Sequence, residues 1–230
     1  LIRSVWVVLA GAVATFLYAF RVLISMWLKR DDLFFLGHDI PRRWALAILR
    51  LSGAEVKAEG LENLPNDAPR VLISNHESWF DVFALCAVLP VQFRFVGKQE
   101  LARIPVFGAA WVGSGHLAID RGDRTSAIDT LQEAARQMHE RDLTIIMFPE
   151  GTRSPDGELQ RFKKGAFMLA LEASCPIVPV GIRGSREVMP KGSFRIRRGT
   201  IEVRVGPPIS TEGLAPHDRE RLLEVSRAAV

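Results

Sequence analysis

The chain has 230 residues, 48% of them hydrophobic, with 30 Lys and Arg against 26 Asp and Glu for a net charge of +4. That length and apolar content support one sizeable domain with an appendage and exclude a disordered or low-complexity polypeptide. The two cysteines, Cys86 and Cys175, lie far apart. This excludes a disulfide-stapled scaffold or cysteine zinc site and fits a reducing compartment.

The basic balance points to an anionic partner: a membrane surface, a nucleic acid or a phosphorylated substrate. The first residue is Leu1 rather than Met, so something upstream is expected to have been removed or omitted.

The first segment is the most apolar. No charge interrupts Val5 to Phe20; Arg21 then precedes VLISMWL, and Lys29-Arg30 close the stretch. A spanning helix requires about 20 apolar residues, a length reached here only if the Arg21 guanidinium snorkels to the headgroups. A membrane-attached helix is therefore expected, either spanning or lying in one leaflet. A secretory signal fits less well, because the run is long and no small-residue cleavage site with secreted-type cysteines follows.

Arg3 precedes the run and Arg21, Lys29, Arg30, Arg42 and Arg43 follow it, which puts the downstream domain on the cytoplasmic side. The next stretch, RRWALAILRLSG (42–53), reads as a helix along the interface with Trp44 at headgroup depth, or as an ordinary core helix. Residues 1–53 are expected to form the anchor and residues 54–230 the main domain.

From Ala54 onward, strand-length apolar runs (EVKAEG, RVLISN, FRFVGK, HLAID, LTIIMFP and IVPVGI) alternate with the helical patterns WFDVFALCAVL, TSAIDTLQEAARQMHERD and FKKGAFMLALEAS. In the second helix Ala127, Leu131, Ala134, Ala135 and Met138 form an apolar stripe. The alternation predicts an α/β domain with a mixed, largely parallel sheet flanked by helices. Near the end, FRIRRGTIEVRVGPP reads as a hairpin turning at Arg198-Gly199, with Phe194, Ile196, Ile201, Val203 and Val205 inward and Arg195, Arg197 and Arg204 outward.

The stretch VLISNHESWFD ends a buried strand on His76 and places Asp81 five residues later. Carboxyl ends of strands in open α/β sheets are where ligand sites form. On one continuous helix, positions i and i+5 diverge by roughly 140°. The pair therefore meets only if His76 lies in the turn before the helix and Asp81 one turn inside it, with Ser78 a suitable N-cap. Asp81 would then hold the Nδ1 proton and leave Nε2 as a base. Neither Ser74 nor Ser78 stands on a nucleophile elbow, so the base is expected to act on a substrate hydroxyl. A structural histidine bonded to a helix aspartate is the alternative reading of the pair alone.

Two further strand ends add to it. IIMFPEGTRS opens into a turn carrying Glu150, Gly151, Thr152 and Arg153, and GSGHLAIDRGD ends on Asp120-Arg121. Gly151 allows close backbone approach, and Arg153 offers a fork for phosphate. With Lys98 in VGKQEL, these cations beside a histidine base indicate a phosphate-bearing substrate.

NHESWFD resembles the His-x4-Asp motif of the glycerolipid acyltransferases, FPEGTRS their Glu-Gly-Thr motif, GHLAIDR their arginine-bearing motif and PIVPV their proline motif. The four occur in family order between Glu59 and Gly206. VGKQEL and FKKGAF resemble the branch that acylates lysophosphatidate. The resemblance implies a glycerol-3-phosphate acyltransferase-like fold with a membrane-associated N-terminus. It implies His76 as general base, Asp81 as its orienting partner, Lys98, Arg121 and Arg153 on the acceptor phosphate, and Glu150, Gly151 and Thr152 shaping the acceptor site.

It further implies acyl-CoA or acyl carrier protein as donor, lysophosphatidic acid and the bilayer as partners, no nucleic acid, and no cofactor or metal. The expected location is the cytoplasmic side of a bacterial inner membrane. Competing readings are a thioester hydrolase, an inactive membrane scaffold, and an acyltransferase acting on glycerol-3-phosphate or another lysophospholipid.

Overall fold

A computed structural model describes residues 2–29, 35–64, 68–120 and 122–230. Seven strands form one sheet in the order β1-β7-β6-β2-β5-β3-β4. In chain order they are β1 (Ala54–Glu59), β2 (Arg70–Ser74), β3 (Phe93–Lys98), β4 (Leu117–Ile119), β5 (Thr144–Met147), β6 (Ile177–Arg183) and β7 (Gly199–Val205). All neighbours pair in parallel except β6 with β7. The helices are α1 (Ile2–Trp27), α2 (Ile40–Ser52), α3 (Phe80–Val88), α4 (Gln99–Ala102), α5 (Phe107–Gly113), α6 (Arg124–Arg141), α7 (Gly165–Glu172), α8 (Ser185–Val188) and α9 (Arg219–Ala229). The mixed, largely parallel α/β architecture expected from the sequence is the one observed.

The central strands β2 and β5 are buried along their whole length, as strands covered on both faces must be. Their side chains alternate between two layers. Leu72 and Ile146 pack in a core with α2 and α3 residues such as Ile48 and Leu85. Val71, Ile73, Ile145 and Met147 face a second core with Ala134 and Met138 of α6 and Phe167 of α7. The predicted α6 stripe therefore supplies the second layer.

Two expectations fail. Residues 194–198 form no strand, because both edges of β7 are already occupied by β1 and β6. Ile196, Ile201, Val203 and Val205 are buried as expected, but Phe194 is 81% exposed. The second concerns Trp44, which is not at a headgroup surface. Its Nε1–H donates to Thr15 Oγ1 at 3.0 Å, and its ring stacks on Tyr18 at 4.9 Å and meets Phe83 edge-on. Of the two readings of this stretch, α2 is the core helix, packed between α1 and α3.

Helix α1 lies against the main domain along its whole length, about 39 Å at 1.5 Å per residue. At its start Arg3 donates to the carbonyls of Ile196 and Ser52, and Ser4 Oγ accepts from Ile196 N at 3.0 Å. Val7 joins the first core, Gly11 lies under Ile48, and Ala19 and Val22 pack with Ile40 and Ala110. Near the end Met26 fills the space above Gly113. The outward face carries Trp6, Leu9, Val13, Phe16, Phe20 and Trp27, all exposed.

Candidate active site

Strand pairing brings the motifs together. In the β2–β5 register Ile73 faces Met147. Three residues further on, this alignment sets His76 beside Glu150, and the His76 amide donates to Glu150 Oε1 at 2.6 Å. The other Glu150 oxygen accepts from Gln160 N at 3.0 Å, and Ser154 N donates to the His76 carbonyl at 2.6 Å. On the other side of β2, the Asn75 side chain accepts from Ile182 N at 2.7 Å and donates to Ile182 O at 2.8 Å. The loop carrying His76 is thus held from both neighbouring strand ends, His76 by its backbone and Asn75 by its side chain.

The imidazole is held as firmly. Its Nδ1 lies 2.7 Å from Asp81 Oδ2, with side-chain exposures of 14% for His76 and 0% for Asp81. The same oxygen accepts from the amides of Glu77 at 2.7 Å and Ser78 at 2.8 Å. These two donors belong to the turn that enters α3, so Asp81 lies in the helix and His76 before it, as the spacing requires. The His76 ring stacks on Phe148, with centroids 3.9 Å apart and planes 16° from parallel. An Nδ1–H donated to a buried carboxylate leaves Nε2 as the lone-pair nitrogen.

The serine hydroxyls beside the pair are committed elsewhere. Ser74 Oγ donates to the Asn75 carbonyl at 3.0 Å. Ser78 Oγ donates to the Met189 carbonyl at 2.7 Å and accepts from Phe80 N at 3.1 Å, but the N-cap position of α3 is Trp79 and not Ser78 as expected, because the helix begins one residue later, at Phe80. Cys86 and Cys175 are buried, and burial raises both thiols, that of Cys175 to about 12. Glu77 is pushed up to about 7, first by burial and then by Asp81 and Glu187. Burial also raises the Glu150 carboxyl, opposed by its two amide donors.

The remaining expected residues divide into groups. Gly151 is buried with φ +75°, and a β-carbon there would collide with the Lys163 side chain. The Arg153 guanidinium lies over the Trp79 ring, 4.9 Å from its centroid. Thr152 is exposed, with its hydroxyl 3.5 Å from Lys191 Nζ, which also donates to the Arg153 carbonyl at 2.6 Å. Lys98 ends β3, two strands from β2, roughly 10 Å along the same sheet edge. It lines a separate cleft of about 280 Å³ with Gln99, Glu100, Arg103, Asp120 and Gly122. Arg121, like Arg30 of the N-terminal flank, lies outside the described residues.

Sequence reading missed Phe148, Lys163, Lys191 and the Asn75 bracket. Phe148 and Asn75 could have been found from their positions at the ends of β5 and β2; Lys191 is remote in sequence and carries no local signal.

A parallel sheet that sets a His–Asp pair and a glycine turn at its carboxyl edge defines an α/β enzyme-like site. Residues 55–183 match the family model described as Acyltransferase, and the chain belongs to that family. It is 39% identical over 165 residues to the 1-acyl-sn-glycerol-3-phosphate acyltransferase of Limnanthes douglasii, covering 72% of this chain and 58% of that protein. It is 37% identical over 179 residues to the human 1-acyl-sn-glycerol-3-phosphate acyltransferase alpha, covering 78% and 63% respectively. The chain thus spans about three-fifths of the length of these relatives. The crystal structure of the 1-acyl-sn-glycerophosphate acyltransferase PlsC of Thermotoga maritima superposes with a TM-score of 0.82 at 26% identity, covering 99% of this chain and 92% of that one.

Proposed function

We propose that the chain transfers a fatty acyl group from an acyl thioester to the free sn-2 hydroxyl of 1-acyl-glycerol-3-phosphate, giving phosphatidic acid. The observation that carries this reading is the His76–Asp81 pair at 2.7 Å, whose neighbouring serines are both bonded elsewhere. The two 1-acyl-sn-glycerol-3-phosphate acyltransferase relatives and the PlsC structure support the choice of acceptor.

His76 Nε2 takes the hydroxyl proton as the alkoxide oxygen attacks the thioester carbon. The C–S bond then breaks, the thiolate leaves, and the imidazolium returns its proton to that sulfur. No acyl-enzyme forms. A thioester is already activated, so the reaction needs acyl-CoA or acyl carrier protein as co-substrate and no cofactor or metal. Asp81 keeps the tautomer, and Glu150 holds the His76 loop against the turn at Gly151.

Arg153, Lys98 and Arg121 are assigned to the acceptor phosphate, with Gly151 and Thr152 lining the approach. Each guanidinium would contribute charge-assisted hydrogen bonds. Arg153→Ala and Arg121→Ala are expected to raise the acceptor KM roughly tenfold to a hundredfold while changing the donor KM little. Steady-state kinetics with each substrate varied in turn checks this, and equal effects on both substrates would reassign the arginines to the donor.

The N-terminal helix fits attachment to one leaflet better than a span, on the cytoplasmic face of a membrane that we take to be the bacterial inner membrane. It passes the length and hydropathy criteria for a span, but its inner face is packed on the main domain from Arg3 to Met26. A span would require that packing to be given up or the domain to enter the lipid. Residues 1–53 are assigned as the anchor, with α1 meeting the lipid and α2 packed in the core that joins it to the catalytic domain, residues 54–230. A cysteine at position 2 should react with an impermeant reagent only from the side of sealed vesicles that carries the catalytic domain. Labelling from the opposite side alone would establish a span.

A further inference from the structure

We propose that residues 190–198 form a second membrane-contact element, with Phe194 entering the lipid and Lys191, Arg195, Arg197 and Arg198 meeting anionic headgroups. The inference extends the one-leaflet reading of α1 and rests on it.

Phe194 is 81% exposed, and among the described residues it belongs to no core cluster. Four cations, Lys191, Arg195, Arg197 and Arg198, surround it in sequence, and no acidic residue occurs between Glu187 and Glu202. All four are exposed. An exposed aromatic among unopposed cations is the pattern of an interfacial lipid contact.

The segment has no regular structure, yet it is fixed at both ends. Ile196 is buried, its amide donates to Ser4 Oγ at 3.0 Å and its carbonyl accepts from Arg3 at 3.1 Å. Phe194 is two residues away, within about 7 Å along the chain, which puts it beside the start of α1. There Ile2, Val5 and Trp6 are exposed at 78%, 52% and 68%, so the loop is continuous with the outward apolar face of the anchor. At its other end Lys191 bonds the Arg153 carbonyl at 2.6 Å. Arg197 N donates to Val188 O at 2.9 Å, and the carbonyl of the next residue, Met189, accepts from Ser78 Oγ.

The loop thus bridges anchor and site, and its contact with lipid would press the mouth of the site onto the membrane. It would also gather anionic lipid where an anionic acceptor is consumed. An acidic carrier protein could use the same cations, but it would not account for continuity with the apolar face of α1.

The test uses the whole chain. Cys86 and Cys175 are buried, so Phe194→Cys and Ile2→Cys can each be labelled with an environment-sensitive dye at one position. With vesicles of phosphatidylcholine containing phosphatidylglycerol, both labels are expected to shift to the blue, the label at 194 less so in pure phosphatidylcholine. Phe194→Ser should weaken vesicle binding about tenfold, and Arg195→Gln with Arg197→Gln should weaken it by about fivefold for each charge at low salt.

A shift at position 2 without one at 194 overturns the loop contact and leaves the anchor standing. Silence at both positions overturns the anchor and the loop together. A shift at 194 caused by acyl carrier protein but not by vesicles reassigns the loop to the donor protein and overturns the proposal.

Discussion

Replacement of His76 by alanine is expected to lower kcat by about 10²–10⁴-fold, the range for loss of a positioned general base. The protein should still fold. The ring has partial exposure, and Asp81 Oδ2 keeps its bonds from the amides of Glu77 and Ser78 when the imidazole is removed. The His76 backbone also keeps its bonds to Glu150 and Ser154, which fix the loop. Acceptor KM should change little, because the proposed base would act on the hydroxyl while the cations are assigned to the phosphate. Rates of phosphatidate formation beside circular dichroism check both parts. A variant that is folded and within tenfold of the normal rate would remove His76 from the chemistry.

Asp81→Asn is expected to cost about 10⁴-fold, for a different reason. The Asp81 oxygen that His76 uses also accepts two amides, so an asparagine there would keep its carbonyl toward those amides. Its NH2 would then face the imidazole and donate to Nδ1. Nδ1 becomes the acceptor, Nε2 carries the hydrogen, and the nitrogen facing the substrate can no longer take a proton. Geometry is kept while the tautomer is wrong. Nitrogen chemical shifts of a labelled imidazole should report the swapped tautomer, and a normal tautomer with normal turnover would contradict the assignment.

What could be read in advance follows from what sequence encodes locally. The six strand segments read before the hairpin correspond to β1–β6: β2 and β5, buried on both faces, leave unbroken apolar runs, whereas β1 shows the alternation of a half-buried strand. The His76–Asp81 contact was legible because helical geometry allows an i, i+5 pair only across a helix start. Glu150 was legible as a strand-end residue. Its role in clamping two loops was not, because both donors, His76 N and Gln160 N, are backbone groups.

The hairpin reading failed because period-two alternation in 194–198 says nothing about whether a strand edge is free. The interfacial reading of Trp44 failed for a related reason: an apolar helix face does not say whether lipid or protein covers it. In α1 a signal was present and unused. Ser4, Gly11, Thr15 and Ser25 are small or hydroxylated residues spaced along the face that packs on the domain, while bulky residues fill the other.

The central claim is that His76 activates an acceptor hydroxyl and not water or an enzyme nucleophile. Its most direct test is stoichiometry: thiol release and phosphatidate formation followed together, with 1-acyl-glycerol-3-phosphate present and then omitted. One thiol should appear for each phosphatidate formed, with almost none when the acceptor is absent. Sustained thiol release without the acceptor would contradict the account and make the protein a thioester hydrolase.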